Sequence, residues 1–283
     1  MRDFDRRAVL CGTLAGGALL ALSGCASVPN APAVVSALTR EVVRLPAASG
    51  AEREAIVWTP SGEPRGVALL SASSGRSPDH YAPLVDRLGG MGLAIIAPVY
   101  ADSPGSGSPS QGGASQERIA GLAASAAIAR DRFAGRPVLA VGHGLGSLTA
   151  IALSAALAQE GTFTEPTPRG VIAFSAPAGT ERLAGPDTVA TLGVPVLLLG
   201  GSNDPASAER LLPTGTGDAD SYALVMAGGG PDLIDDAAFV ERAWPVIDLF
   251  VQAYLFDIFT AGDVLEDWPA TGEDRFIARR GSS

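Results

Sequence analysis

The stretch Val138-Leu139-Ala140-Val141-Gly142-His143-Gly144-Leu145-Gly146-Ser147-Leu148-Thr149-Ala150 decides how the rest of the chain is read. Its front half, an apolar run over 137–141, has the length and content of a buried strand. Its back half, from Leu145 onward, predicts a helix over 145–158. Between them stand three glycines at alternate positions, Gly142, Gly144 and Gly146. A tight passage from strand to helix needs backbone that no Cβ obstructs, and glycine provides it.

Outward from this unit, strand-like runs alternate with helical patterns, as in a parallel sheet covered on both faces. Eight strands are predicted, over 41–45, 55–59, 66–72, 93–100, 137–142, 170–175, 194–200 and 222–227. The first two are expected to form an antiparallel hairpin at one edge. Helices are predicted over 80–91, 115–133, 145–158 and 206–212, and a long one over 233–259 with a kink at Pro245. About eighteen residues separate the sixth and seventh strands, too few for a large lid.

The two ends of the length scale agree with this reading. A chain of 283 residues with 47% hydrophobic content can bury the core of one large α/β domain. Acidic residues outnumber basic ones 30 to 20, so the protein repels nucleic acid and anionic surfaces on average, and no basic cluster opposes this. Nucleic-acid binding is excluded on that ground. All the basic residues are arginines.

The N-terminal segment reads as a targeting signal. Arg2, Arg6 and Arg7 form a positive start, followed by an apolar run over 8–22, the length of a signal peptide and short of a membrane span. Asp5-Arg6-Arg7-Ala8-Val9-Leu10 resembles a twin-arginine export signal, with Asp5 where Ser or Thr is usual. Leu22-Ser23-Gly24-Cys25 resembles a bacterial lipobox. The expectation is a signal peptide over 1–24, an acylated Cys25, a tether over 25–40 and a domain over 41–283, on the periplasmic side of the cell envelope. The lipid bilayer, reached through Cys25, is the first expected partner. Ala26 after the cysteine favours the outer membrane by the enterobacterial sorting rule.

Cysteine and histidine counts narrow the chemistry. Cys11 lies in the apolar run, so the mature domain carries no disulfide and no thiol nucleophile. His80 and His143 are its two histidines, too few for a zinc or di-metal hydrolase; no metal and no cofactor are expected.

The motifs and their order resemble the α/β-hydrolase fold, nearest to the dienelactone hydrolase, platelet-activating-factor acetylhydrolase and chlorophyllase-like group. The likeness runs through Leu69 to Tyr81, Ala97 to Ser103, the 137–150 unit, Phe174 to Gly179 and Pro195 to Asp204. In that group Gly-x-Ser-x-Gly is the nucleophile elbow, holding a serine hydroxyl above the sheet. Here the serine position is Gly144. The resemblance makes Asp204 the retained acid, and puts the base in Met226 to Leu233, at Gly230 or Pro231. No histidine follows His143. The oxyanion donors would come from Leu145 and from the loop at Ala72 and Ser73.

Acyl transfer needs a nucleophile, a base within reach, a group to orient the base, and oxyanion donors. Two of three triad members are absent, so a pseudo-hydrolase is expected. With Gly144 leaving room in front of the helix N-terminus, it would bind a small acyl or carboxylate ligand there, or a protein partner. The competing expectation is an active carboxylic-ester hydrolase with displaced residues. It needs His80 or His143 against Ser73, Ser74 or Ser147. His143 is expected to turn away from the reacting face, and Ser147 to cap or pack. Asp232 and Asp235 read as first-turn helix acids.

Overall fold

The computed structural model describes residues 37–45, 53–104, 114–160, 166–177, 184–204, 208–213 and 217–282. The expected signal peptide, Cys25 and residues 25–36 of the expected tether lie outside them, whereas residues 38–40, also expected in the tether, belong to the first strand. Among the described residues no helix is long and apolar enough to cross a membrane.

All eight predicted strands form: β1 (Leu38–Leu45), β2 (Arg53–Pro60), β3 (Gly66–Ser71), β4 (Leu93–Pro98), β5 (Val138–His143), β6 (Val171–Phe174), β7 (Val196–Gly201) and β8 (Ser221–Met226). A ninth, β9 (Arg275–Arg279), was not predicted. Its five residues begin and end on arginine, which hides the apolar signal. Phe276 pays for its place by stacking on Tyr222, ring centroids 6.0 Å apart.

The sheet order is β1-β2-β4-β3-β5-β6-β7-β8-β9. β1 pairs antiparallel with β2, as expected, and β2 antiparallel with β4. From β4 to β8 every pairing is parallel, and β9 closes the far edge antiparallel to β8. The parallel strands are buried throughout, because helices cover both faces.

One face packs on α2 (Ala114–Arg132), α3 (Leu145–Glu160) and α4 (Pro186–Ala190), through residues such as Leu122, Ile151 and Val189. The other packs on α1 (Ala82–Gly90), α5 (Ala237–Phe250) and α6 (Phe259–Glu266), through Leu84, Val246 and Leu265. The helix expected over 206–212 is a single 3₁₀ turn, Ala208–Leu211. The long C-terminal helix divides into α5, a π turn (Val251–Leu255) and α6. α5 runs through Pro245, whose exposed position lets water take the orphaned carbonyl one turn back. The division falls instead at Asp257, held at φ +56°. The stretch between β6 and β7 holds α4, and residues 178–183 of it lie outside the description.

Candidate functional site

The strand-to-helix turn is built by close approach. A Cβ on Gly142 would lie 2.3 Å from the Gly146 carbonyl oxygen, and one on Gly146 would lie 2.0 Å from the carbonyl of Ser71. Neither position admits a side chain, so α3 seats directly on the ends of β5 and β3. Gly144 sits at the tip with φ +54°, the left-handed region that glycine enters without cost. Its amide donates to the Phe174 carbonyl at 2.9 Å. Ser147 donates to the same carbonyl at 2.8 Å and is fully buried. It packs, as expected, and is no nucleophile.

The space in front of Gly144 is filled. A Cβ on Gly144 would lie 2.3 Å from Ser73 Oγ and 3.1 Å from Ser73 Cβ. This corrects the expectation of extra room before α3: the Ser73 hydroxyl, on the loop after β3, stands where a side chain at 144 would begin.

The loop that supplies an oxyanion amide in related folds is also committed. The Ser73 N–H donates to Tyr81 Oη at 2.8 Å. Tyr81 Oη lies 3.0 Å from His143 Nδ1, and His143 Nε2 lies 3.0 Å from the Pro231 carbonyl. A carbonyl only accepts, so Nε2 carries the proton and Nδ1 accepts from the tyrosine hydroxyl. The chain of donors therefore runs one way, and both imidazole nitrogens are occupied. Burial holds His143 below the usual histidine pKa and pushes Tyr81 up to about 12, so both stay neutral at neutral pH.

His143 was expected to turn away from the reacting face. Its ring instead reaches the loop after β8, the place where the base belongs. Alternation along β5 explains this: Val141 and His143 point to the α1 and α5 face, where Tyr81 and Pro231 meet them.

His80 lies in the 3₁₀ turn Pro78–Tyr81, and its Nε2 is 2.6 Å from Asp235. Arg76 bonds Asp232 at 2.5 Å and Asp235 at 2.8 Å, and also touches His80. Asp232 and Asp235, expected as first-turn helix acids, lie ahead of α5, whose N-cap is Asp236, and serve this bridge instead. The loops after β3 and β8 are separated by three strands, about 19 Å at ordinary strand spacing. The bridge therefore arches over the ends of β5, β6 and β7. Neither imidazole contacts a serine hydroxyl among the described residues; Ser74 donates to Asp102 instead, at 2.7 Å.

Ala72 is fully buried, and its carbonyl accepts from Arg118 at 2.6 Å. Arg118, on α2, is 1% exposed. Its guanidinium lies 4.0 Å from the centre of the Tyr100 ring and 3.3 Å from Asp102. Sequence reading missed this buried cation; only its place on the inner side of a small-residue helix could have signalled it.

Asp204 follows β7 and is 4% exposed. The loop after β8 presses against the loop after β7, so that a Cβ on Gly201 would meet the Gly229 carbonyl at 2.0 Å. Asn203 donates its amide to that same carbonyl at 2.8 Å. Leu145 starts α3, next to Gly144.

Comparison with solved structures identifies the architecture. The chain has the α/β-hydrolase fold. It resembles a puromycin-hydrolysing peptidase of Mycobacterium tuberculosis, with 19% identity and a TM-score of 0.58 over 81% of this chain and 41% of the peptidase. It also resembles a dienelactone hydrolase from Anabaena variabilis, with 14% identity and a TM-score of 0.60 over 77% of this chain and 99% of the other. A third likeness is to the esterase domain of a Rhodothermus marinus protein, with 16% identity and a TM-score of 0.56 over the same shares. The chain thus spans less than half of the peptidase and nearly all of the other two. No family profile and no curated protein matches the sequence.

Proposed function

We propose that this α/β-hydrolase-fold protein is a pseudo-hydrolase of the bacterial cell envelope, anchored to a membrane through an acylated Cys25, and that it works by binding. The observation that carries the reading is the Ser73 hydroxyl in the place of the missing nucleophile at Gly144. Serine proteases that lose a triad member keep only about 10³–10⁴-fold acceleration over water, supplied by the oxyanion hole and binding. Here one oxyanion amide is already spent on Tyr81, so even that residue of catalysis is reduced.

The filled turn also bears on what is bound. A small acyl or carboxylate ligand at the α3 N-terminus would have to displace Ser73. The charged bridge above it, by contrast, offers Arg76, His80, Asp232 and Asp235 at the surface. A protein partner that reads this surface fits the geometry better. An ester hydrolase with displaced residues would require a base on a serine hydroxyl, and the two imidazoles are engaged elsewhere.

The test is covalent labelling of the full chain with a fluorophosphonate, beside metabolic labelling with an alkynyl fatty acid in cells. The reading predicts no phosphonate adduct, and lipid incorporation that Cys25→Ala abolishes. An adduct on Ser73 or Ser74 would overturn the catalytic half; absence of lipid on the wild-type chain would overturn the anchor.

A further inference from the structure

The strands of the parallel sheet start at one end of the domain and deliver the candidate site at the other. At the starting end, Leu38 pairs with Pro60, and Gly66 with Leu93, all first or last residues of their strands. Leu38 also packs its side chain over Gly89, near the end of α1. The chain therefore enters the domain at the end opposite Gly144 and Ser73.

The same end carries an apolar projection. Four large apolar side chains are exposed among the described residues, and three of them, Ile258 (37%), Phe259 (86%) and Val264 (51%), fall within seven residues. Its position is fixed by neighbours at the strand starts. Leu255 approaches Gly66, Arg65 covers the Phe256 ring at 3.9 Å, and Arg169, just before β6, pairs with Asp257 at 2.6 Å. The turn at Asp257, with its positive φ, throws Ile258 and Phe259 outward.

We infer that this end of the domain rests on the lipid bilayer, with Ile258 and Phe259 inserted at the headgroup level, and that the candidate site faces the aqueous side. The inference rests on the anchor at Cys25. Thirteen residues from Cys25 to Leu38 reach at most about 45 Å. A domain of this size is about 46 Å across, from a radius of gyration near 18 Å. To place the site against the membrane, the tether would have to run fully extended along the whole domain. With the strand-starting end down, it needs no such extension.

Charge neither drives nor forbids the contact. Arg65, Arg136 and Arg169 lie at this end of an acidic protein, with Glu63 and Asp257 as ion-pair partners and with the exposed Asp263 and Asp267 on and just after α6. Apolar insertion supplies the attraction, and the anchor supplies the local concentration that makes a small patch sufficient.

The experiment uses the full chain with Cys11→Ala, coupled at Cys25 to a maleimide phospholipid in phosphatidylethanolamine–phosphatidylglycerol vesicles. Chemical coupling makes the result independent of whether cells acylate Cys25, which the fatty-acid labelling above decides separately. Hydrogen exchange is then compared with the uncoupled chain. Exchange at 257–266 is expected to slow several-fold on vesicles, with the loops at 73–80 and 228–235 unchanged. Ile258→Ser with Phe259→Ser, both exposed, is expected to abolish the slowing. Unchanged exchange at 257–266 in the coupled chain overturns the inference, as does protection of 73–80 and 228–235 instead, or protection that survives the double substitution.

Discussion

Ser73 Oγ lies 2.3 Å from the point where a Cβ on Gly144 would stand, so a side chain at 144 and the Ser73 hydroxyl where it now sits cannot both be accommodated. Gly144→Ser alone is therefore expected to destabilise the fold. Overpacking costs about 1–3 kcal/mol, and a non-glycine residue at positive φ adds to it. Adding Ser73→Gly removes the clash and should recover most of the first part. Urea denaturation of the two single variants and the double variant measures this coupling; strictly additive effects would mean that Ser73 does not occupy the site.

Tyr81→Phe tests the donor chain between Ser73 and Pro231. It leaves the Ser73 amide and His143 Nδ1 without their partner. The expected loss is about 1–3 kcal/mol per group left unsatisfied, well above that of an exposed Tyr→Phe change. Thermal unfolding at fixed pH provides the comparison.

The buried His143 gives stability a pH dependence of known sign. Its pKa in the fold lies below the unfolded value of about 6.5, chiefly through burial. Above 6.5 the ring is neutral in both states and its contribution is complete. As pH falls below 6.5 the unfolded chain takes the proton first, and stability declines until the folded-state pKa is passed. His143→Gln should be less stable at pH 8 and should lack this component of the decline. Denaturation midpoints of both proteins from pH 8 to pH 5 check the prediction.

Arg118→Met removes a buried cation from under the loop that carries Ser73. Asp102 loses an ion-pair partner and the Ala72 carbonyl a donor. The expected cost is about 3 kcal/mol, the lower end for a broken buried pair, because Asp102 keeps some exposure to water. Arg118→Lys should rescue little, since an ammonium cannot both stack on Tyr100 and reach two acceptors. Calorimetric unfolding distinguishes the two variants.

Much of this was legible in the sequence because it is local. Gly142 and Gly146 mark the strand-to-helix turn, and buried apolar runs mark eight strands whose alternation with helices sets the parallel sheet. That glycine stands at 144 and that no histidine follows His143 is read directly. What packs around these positions is not, because it arrives from distant parts of the chain: Ser73 over Gly144, Gly229 against Gly201, and Arg76 across to Asp232. β9 escaped because five residues bounded by arginines carry too weak a pattern, although Tyr222 was there to receive Phe276. The long helix expected over 233–259, with a kink at Pro245, runs through that exposed proline and ends short, because the chain turns at Asp257 before α6.

The most direct test of the account is hydrolysis of a panel of short-chain nitrophenyl esters by the full chain, with Ser73→Ala and His143→Ala beside it. The account predicts a rate no greater than buffer for all three proteins. Turnover in the wild-type chain that disappears on Ser73→Ala or His143→Ala would contradict it, and would place a working nucleophile or base at a site where the geometry holds neither.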